Sequence, residues 1–300
     1  IDRGLVGSEM CIRDSLIVRL SAIGDIVMAS PVAEAIKRKH ANSTIYWLAQ
    51  PECATLLNDH PFVDHVIVWP RKEWSQLWKQ KKYIALLHAI RLLRRQLQSL
   101  DIELAIDLQG LLKSGLMMWL SGAKKRISLG AKEGSRWLAH QSIARDLGDT
   151  TLIGSEYRWL CQQLGFPHQP WNMTIGLSEQ SHQRAQNIVE HDIRAPFIVL
   201  CPFTTRPQKH WIDEHWRELI TKLSDAGIKT VMLGGPADAE HAQALVSGLA
   251  VINLTGRTSL QEASALIALS SGLIGVDTGL THMGHAPVSY THLTLPTIRL

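Results

Sequence analysis

Seven short apolar runs, most of them leading into residues at helical spacing, constrain the fold of this chain more than any other feature. They are residues 16–20 (LIVRL), 44–49 (TIYWLA), 63–69, 102–107 (IELAID), 197–201 (FIVLC), 229–233 and 273–276. Runs of this length suit strands buried on both faces, and strands alternating with helices build a parallel, doubly wound sheet. Four runs precede and three follow residues 151–178, a stretch with Gly165, Pro167, Pro170 and Gly176 that reads as the interdomain region. Three hundred residues are long for one core and ordinary for two. The expected architecture is α/β, with Rossmann-like halves at residues 15–175 and 176–287.

Helical signals fill the gaps. Ile26, Val27, Ala29, Val32, Ala33 and Ile36 recur at helical spacing, closed by Lys37, Arg38, Lys39 and His40. One helix is expected there, with Pro31 tolerated near its first turn or bending it slightly. Further helices are expected over residues 111–120, 179–191 and 213–226, and from a Ser259–Glu262 capping box to Ser270. Residues 71–98 are rich in Trp, Leu and Ile and carry eight Lys/Arg against one acid, Glu73. Their aliphatic side chains are expected to face the sheet.

Residues 1–14 and 288–300 resemble translated adapter or vector sequence. On that reading the native gene starts near Leu16, continues past Ala286, and the second domain is cut short, so weak stability and activity are expected. Lys plus Arg number 31 against 27 Asp plus Glu, too small a surplus to imply nucleic acid. No run approaches the ~18 apolar residues of a bilayer span. Cys11, Cys53, Cys161 and Cys201 lack zinc or disulfide spacing, so a reducing, cytoplasmic compartment is expected.

Candidate chemistry gathers after the last three runs. Residues 275–282 (GVDTGLTH) pass from a strand through a small-residue turn towards a helix. Backbone N–H groups around Thr278, Gly279 and Leu280 then lack helical partners and favour an anion. Taken alone, the motif reads equally as a turn that binds nothing. The loops Thr204 to Lys209 and Gly234 to Asp238 follow neighbouring strands, and in a parallel sheet all three converge on one edge. They offer the hydroxyls of Thr204 and Thr205, Arg206, Lys209 and a Gly-Gly backbone, an inventory suited to a diphosphate. Lys209 alone reads as a solvated lysine; the convergence favours phosphate. Asp25 reads either as a helix cap or as a general base facing these loops across a cleft. Asp107 reads as a cap or turn. Gly24 is the only glycine of the first loop, so the dinucleotide fingerprint of a Rossmann dehydrogenase is missing.

Five stretches in order resemble the signatures of family 9 glycosyltransferases, the ADP-heptose–lipopolysaccharide heptosyltransferases. They are Leu16 to Pro31, Asp107 to Ser114, Thr204 to Trp211, Gly234 to Asp238 and Asp277 to His282. The Thr204–Trp211 spacing is most similar to the members that add the first inner-core heptose. The resemblance implies a GT-B fold, with an N-terminal acceptor domain, a C-terminal nucleotide-sugar domain and a cleft between them. It implies an inverting, metal-independent transfer of heptose from ADP-heptose to Kdo-lipid A, without a cofactor, at the inner face of the cytoplasmic membrane. Carried onto this chain, Asp25 is the catalytic base and Lys209 neutralises the leaving group. Thr204, Thr205, Lys209, Asp277, Thr278, Gly279, Leu280 and His282 hold the donor. Glu240 aligns loosely with a ribose-contacting acid, and Ser21, Gly24, Gln109 and Lys113 fall on the acceptor side. A transferase of the same fold with another sugar or acceptor, and a non-catalytic nucleotide-sugar-binding fragment, are the alternatives.

Overall fold

Strands β1 (Asp14–Val18), β2 (Thr44–Ala49), β3 (His65–Val68), β4 (Leu104–Asp107), β5 (Lys125–Leu129) and β6 (Gln141–Ile143) form one parallel sheet in the order β3-β2-β1-β4-β5-β6. Strands β7 (Phe197–Cys201), β8 (Lys229–Met232), β9 (Ile252–Asn253) and β10 (Gly272–Gly275) form a second, in the order β10-β7-β8-β9. Numbered within its own half, the second sheet runs 3-2-1-4, the order of the first four strands of the first sheet. The computed structural model describes residues 12–146, 152–194 and 196–286. The central strands are buried almost throughout, β4 at every residue and β1 at four of five. That is why they read as unbroken apolar runs.

The helices are α1 (Ile23–Ala29), α2 (Pro31–Lys39), α3 (Pro51–Ala54), α4 (Arg71–Lys79), α5 (Tyr83–Gln98), α6 (Leu112–Leu120), α7 (Ser155–Gln163), α8 (Glu179–Ile188), α9 (Asp213–Asp225), α10 (Ala239–Leu245), α11 (Leu260–Leu269) and α12 (Gly279–Met283). Among the described residues no helix is long and apolar enough to cross a membrane. The single helix expected across Pro31 is two. Pro31 opens α2, where its missing N–H is one that would be unpaired anyway.

Two units compose the chain, and they differ from the expected split at residue 175. One holds residues 12–21, 31–54 and 62–171; the other holds 22–30, 55–61 and 172–286. Packing decides this. Val27 of α1 and Leu56 are buried in one core with Phe197, Val199, Leu266 and Leu273. Composition carries no trace of such an exchange. Within residues 151–178, expected to be linker, lies α7, with Tyr157, Leu160 and Cys161 buried.

The segment 1–14, expected outside the fold, joins it from Ile12 onward. Ile12 is buried, the Arg13 N–H donates to Glu103 at 2.8 Å, and Asp14 pairs with Thr44 in β1. Residues 1–11, with Cys11, and 288–300 lie outside the described residues. Cys53, Cys161 and Cys201 are buried and stand outside any disulfide, and burial pushes the Cys161 thiol up to about 12, which leaves it inert.

The aliphatics of residues 71–98 also depart from expectation. α4 buries no residue and α5 only Leu93 and Leu97, with Trp74 and Ile90 partly covered. Leu86, Ile90, Leu93 and Leu97 recur on one helical face, which leaves Ile84, Leu87 and Leu92 on others.

His60, in the second unit, is buried. Burial lowers it to about 4, opposed only in part by a hydrogen bond with the Thr174 backbone. Its folded pKa lies below the ordinary 6.5, so the unfolded chain takes up the proton first as pH falls. The neutral imidazole therefore contributes stability above pH 6.5 that is lost between about 6.5 and 4, up to about 3 kcal/mol. We expect His60→Gln to lose less stability than the native chain between pH 7 and pH 4.5. Urea unfolding at both values measures this, and equal losses would rule it out.

Candidate functional site

In an open parallel sheet, ligands sit beyond the carboxyl ends of the strands where the strand order reverses. In the second unit that point lies between β7 and β10, with β8 on the other side of β7. The three loops singled out from sequence leave these strands, and two of them meet directly. Lys209, in a single 3₁₀ turn over Pro207–Lys209, forms an ion pair with Oδ2 of Asp277. His282 Nε2 lies 3.0 Å from the other carboxylate oxygen. The Thr204 hydroxyl donates to the Asp277 carbonyl at 3.4 Å. Partial burial pushes the Asp277 carboxyl up, but Lys209 and His282 more than offset it and hold it below the ordinary carboxylate range. A cation and an imidazole thus converge on one partly exposed edge.

Glycine sets how closely the elements of this site approach. A Cβ on Gly275 would stand 2.2 Å from the Thr281 hydroxyl, so the turn into α12 folds back only because none is there. The Thr278 side chain caps nothing, and Leu280 packs partly against the core. Helix α1 lies directly on this turn. A Cβ on Gly279 would stand 2.9 Å from the Ile23 side chain, and one on Gly24 2.5 Å from the His282 ring.

Gly24, expected on the acceptor side, therefore packs against the residue expected to touch the donor. Asp25, one residue on, lies in the second unit with the three loops rather than on a different domain facing them. Its Oδ2 accepts the Ala22 N–H at 3.1 Å, the second half of a capping box. Asp25 thus caps α1 and lies in the helix packed on the 277–282 turn.

The third loop touches the first. A Cβ on Gly234 would stand 2.7 Å from the Phe203 ring, and the Gly235 N–H donates to Asp238 at 2.9 Å. Thr205 is exposed on its loop, and Glu240 is exposed in the first turn of α10. Among the described residues no hydrogen bond joins either of them to the Lys209–Asp277–His282 group. Sequence reasoning missed two histidines here. His210 Nε2 lies 2.8 Å from the Thr204 carbonyl and fixes the loop. His241 on α10 pairs with Asp213 at 2.7 Å and stands edge-on to Phe203. The spacing of Ala239, Ala242 and Leu245 was the signal available for α10.

The remaining acceptor-side candidates lie in the first unit, at its own switch point between β1 and β4. Ser21 is half-buried there. Gln109 Oε1 accepts the Leu20 N–H at 3.2 Å, which ties the ends of the two strands together. Asp107 accepts from the N–H groups of Gln109 and Gly110 and from Ser128, and burial pushes its carboxyl up, so it organises the turn. Lys113, half-buried on α6, is lowered by burial and by the charges of Arg71 and Arg19, with Glu133 opposing. Such mutual repulsion among cations is relieved by an anion.

A family model for glycosyltransferase family 9 (heptosyltransferase) matches residues 90–288. Lipopolysaccharide heptosyltransferase 1 of Escherichia coli strain K12 is 27% identical over 277 residues, covering 89% of this chain and 83% of that protein. Among solved structures, E. coli heptosyltransferase WaaC with ADP-2-deoxy-2-fluoro heptose is similar at a TM-score of 0.72 and 25% identity, over 90% of this chain and 84% of that one. The family 9 glycosyltransferase of Veillonella parvula DSM 2008 reaches a TM-score of 0.77 at 20% identity, over 91% and 77%, a likeness of fold.

Proposed function

The chain belongs to glycosyltransferase family 9, the heptosyltransferases, and from that premise we propose that it moves heptose from ADP-heptose to the Kdo-lipid A inner core of lipopolysaccharide. The observation that carries the reading is the Lys209–Asp277–His282 group, with the Asp25 helix packed on the same turn. Asp25 takes the proton of the acceptor hydroxyl as its oxygen bonds to the anomeric carbon. The bond from that carbon to the diphosphate breaks in the same displacement, on the opposite face, so the configuration inverts. Negative charge grows on the departing ADP, and Lys209, together with donors from Thr204 and the α12 turn, neutralises it without a metal ion. Lys113, Arg71 and Arg19 supply positive charge for a phosphorylated acceptor in the first unit.

ADP release measured with and without Kdo₂-lipid A tests the reading. We expect release that requires the acceptor. Tight ADP-heptose binding with no acceptor-dependent release would point to a later core acceptor or another sugar. No binding of ADP would overturn the donor site.

A further inference from the structure

The tip of the α4–α5 hairpin, residues 78–87, lies outside the residues given a part in the transfer. At its tip Trp78 is 62% exposed and stands edge-on to Tyr83, with ring centroids 5.3 Å apart. Ile84 is 87% exposed and Leu87 52%. Large apolar side chains this open, grouped on one turn of chain, mark an interaction surface rather than scattered exposure. On α6, Leu112, Leu116 and Trp119 are also exposed at helical spacing, and Arg94 of α5 lies 5.6 Å over the Trp119 ring. Basic residues border it: Lys79, Lys81 and Lys82 at the tip, and Arg91, Arg94 and Arg95 further along α5.

We propose that this hairpin face seats on an anionic lipid bilayer, with Ile84 and Leu87 in the acyl boundary, Trp78 and Tyr83 at headgroup depth and the lysines on lipid phosphates. An apolar centre with an aromatic pair and a cationic border is the chemistry of an interfacial anchor. Charge argues against a second copy as the occupant. Residues 71–98 carry eight Lys/Arg against one acid, so two such faces brought together set like charges opposite one another. The surface rests on the proposed function only in that the acceptor there is itself a lipid; the lipid-binding test contains no acceptor.

Cosedimentation with phosphatidylglycerol–phosphatidylethanolamine vesicles, against pure phosphatidylcholine, measures it. The native chain is expected to bind the anionic vesicles at least about tenfold more tightly, with binding that weakens as salt rises. Ile84→Glu with Leu87→Glu is expected to weaken binding about tenfold or more with circular dichroism unchanged. Lys79→Gln, Lys81→Asn and Lys82→Gln together are expected to weaken it by up to about 10²-fold and to flatten the salt dependence. Vesicle binding that these variants leave unchanged overturns the proposal, as does a dimer, seen by sedimentation, that the Ile84→Glu, Leu87→Glu variant dissolves while the native chain ignores vesicles. ADP binding measured on the same samples reports on the donor site separately, so the two readings fail independently.

Discussion

Asp25→Asn is expected to lower kcat by about 10²-fold or more while leaving ADP-heptose affinity within about twofold. The substitution separates the cap seen in the structure from the proposed role of the same side chain as base. An asparagine oxygen still accepts the Ala22 N–H that Asp25 holds at 3.1 Å, so the start of α1 keeps its cap. With the cap kept, α1 stays on the α12 turn, and the contact between Gly24 and the His282 ring persists. Only the capacity to take a proton is removed. Asp25→Ala removes the cap as well and should cost about 1 kcal/mol of stability besides the loss of rate. Steady-state ADP release at saturating donor and acceptor gives kcat, and calorimetric titration gives donor affinity. If Asn weakens binding and rate alike, Asp25 is a cap that shapes the donor site, and the base lies elsewhere.

How far the sequence led depends on whether a feature is local. Buried parallel strands are unbroken apolar runs, so seven of the ten strands among the described residues were legible. The three missed, β5, β6 and β9, are short or mixed with polar residues, as in Lys125-Arg126-Ile127 and the two-residue Ile252–Asn253. The convergence of three loops was legible because parallel topology alone sends Thr204, Lys209 and Asp277 to one edge, where the Thr204 and Lys209 side chains meet Asp277. The division into units was not. That α1 leaves the sheet it follows and packs into the other unit is a property of tertiary contacts, Val27 against Phe197 and Leu273, with no counterpart in local composition. The same exchange made Asp25 look like a residue facing the donor loops from another domain. Pro31 was the one local sign of it: the helix break it enforces is where the chain crosses between units. The α5 surface was misread for a related reason. A helix with apolar residues on several faces does not declare which face the sheet takes, and here Ile84 and Leu87 were left out.

Lys209→Ala is expected to cost the most. Lys209 is held by Asp277, which His282 also contacts. A diphosphate entering this edge competes with the carboxylate for the lysine, and the carboxylate itself repels the ligand. On the proposed reading Lys209 acts twice, as a partner of phosphate and as the charge that masks Asp277. Losing a charge-assisted contact costs about 1.5–3 kcal/mol, which is on the order of 10–10²-fold in ADP-heptose affinity. As the bond to ADP breaks, charge on the leaving group grows, and loss of a group aimed at it costs on the order of a further 10²-fold in kcat. The combined effect on kcat/KM is about 10³-fold or more. The masking role gives a sharper test. Asp277→Asn introduced into Lys209→Ala removes the unmasked carboxylate, so donor affinity should recover by about tenfold. In the presence of Lys209 the same Asp277→Asn change should do little to affinity or weaken it. A double-mutant cycle on ADP-heptose binding measures the coupling. Strict additivity would mean that the Lys209–Asp277 pair is incidental to the site, and donor affinity unchanged in Lys209→Ala would remove the lysine from the diphosphate altogether.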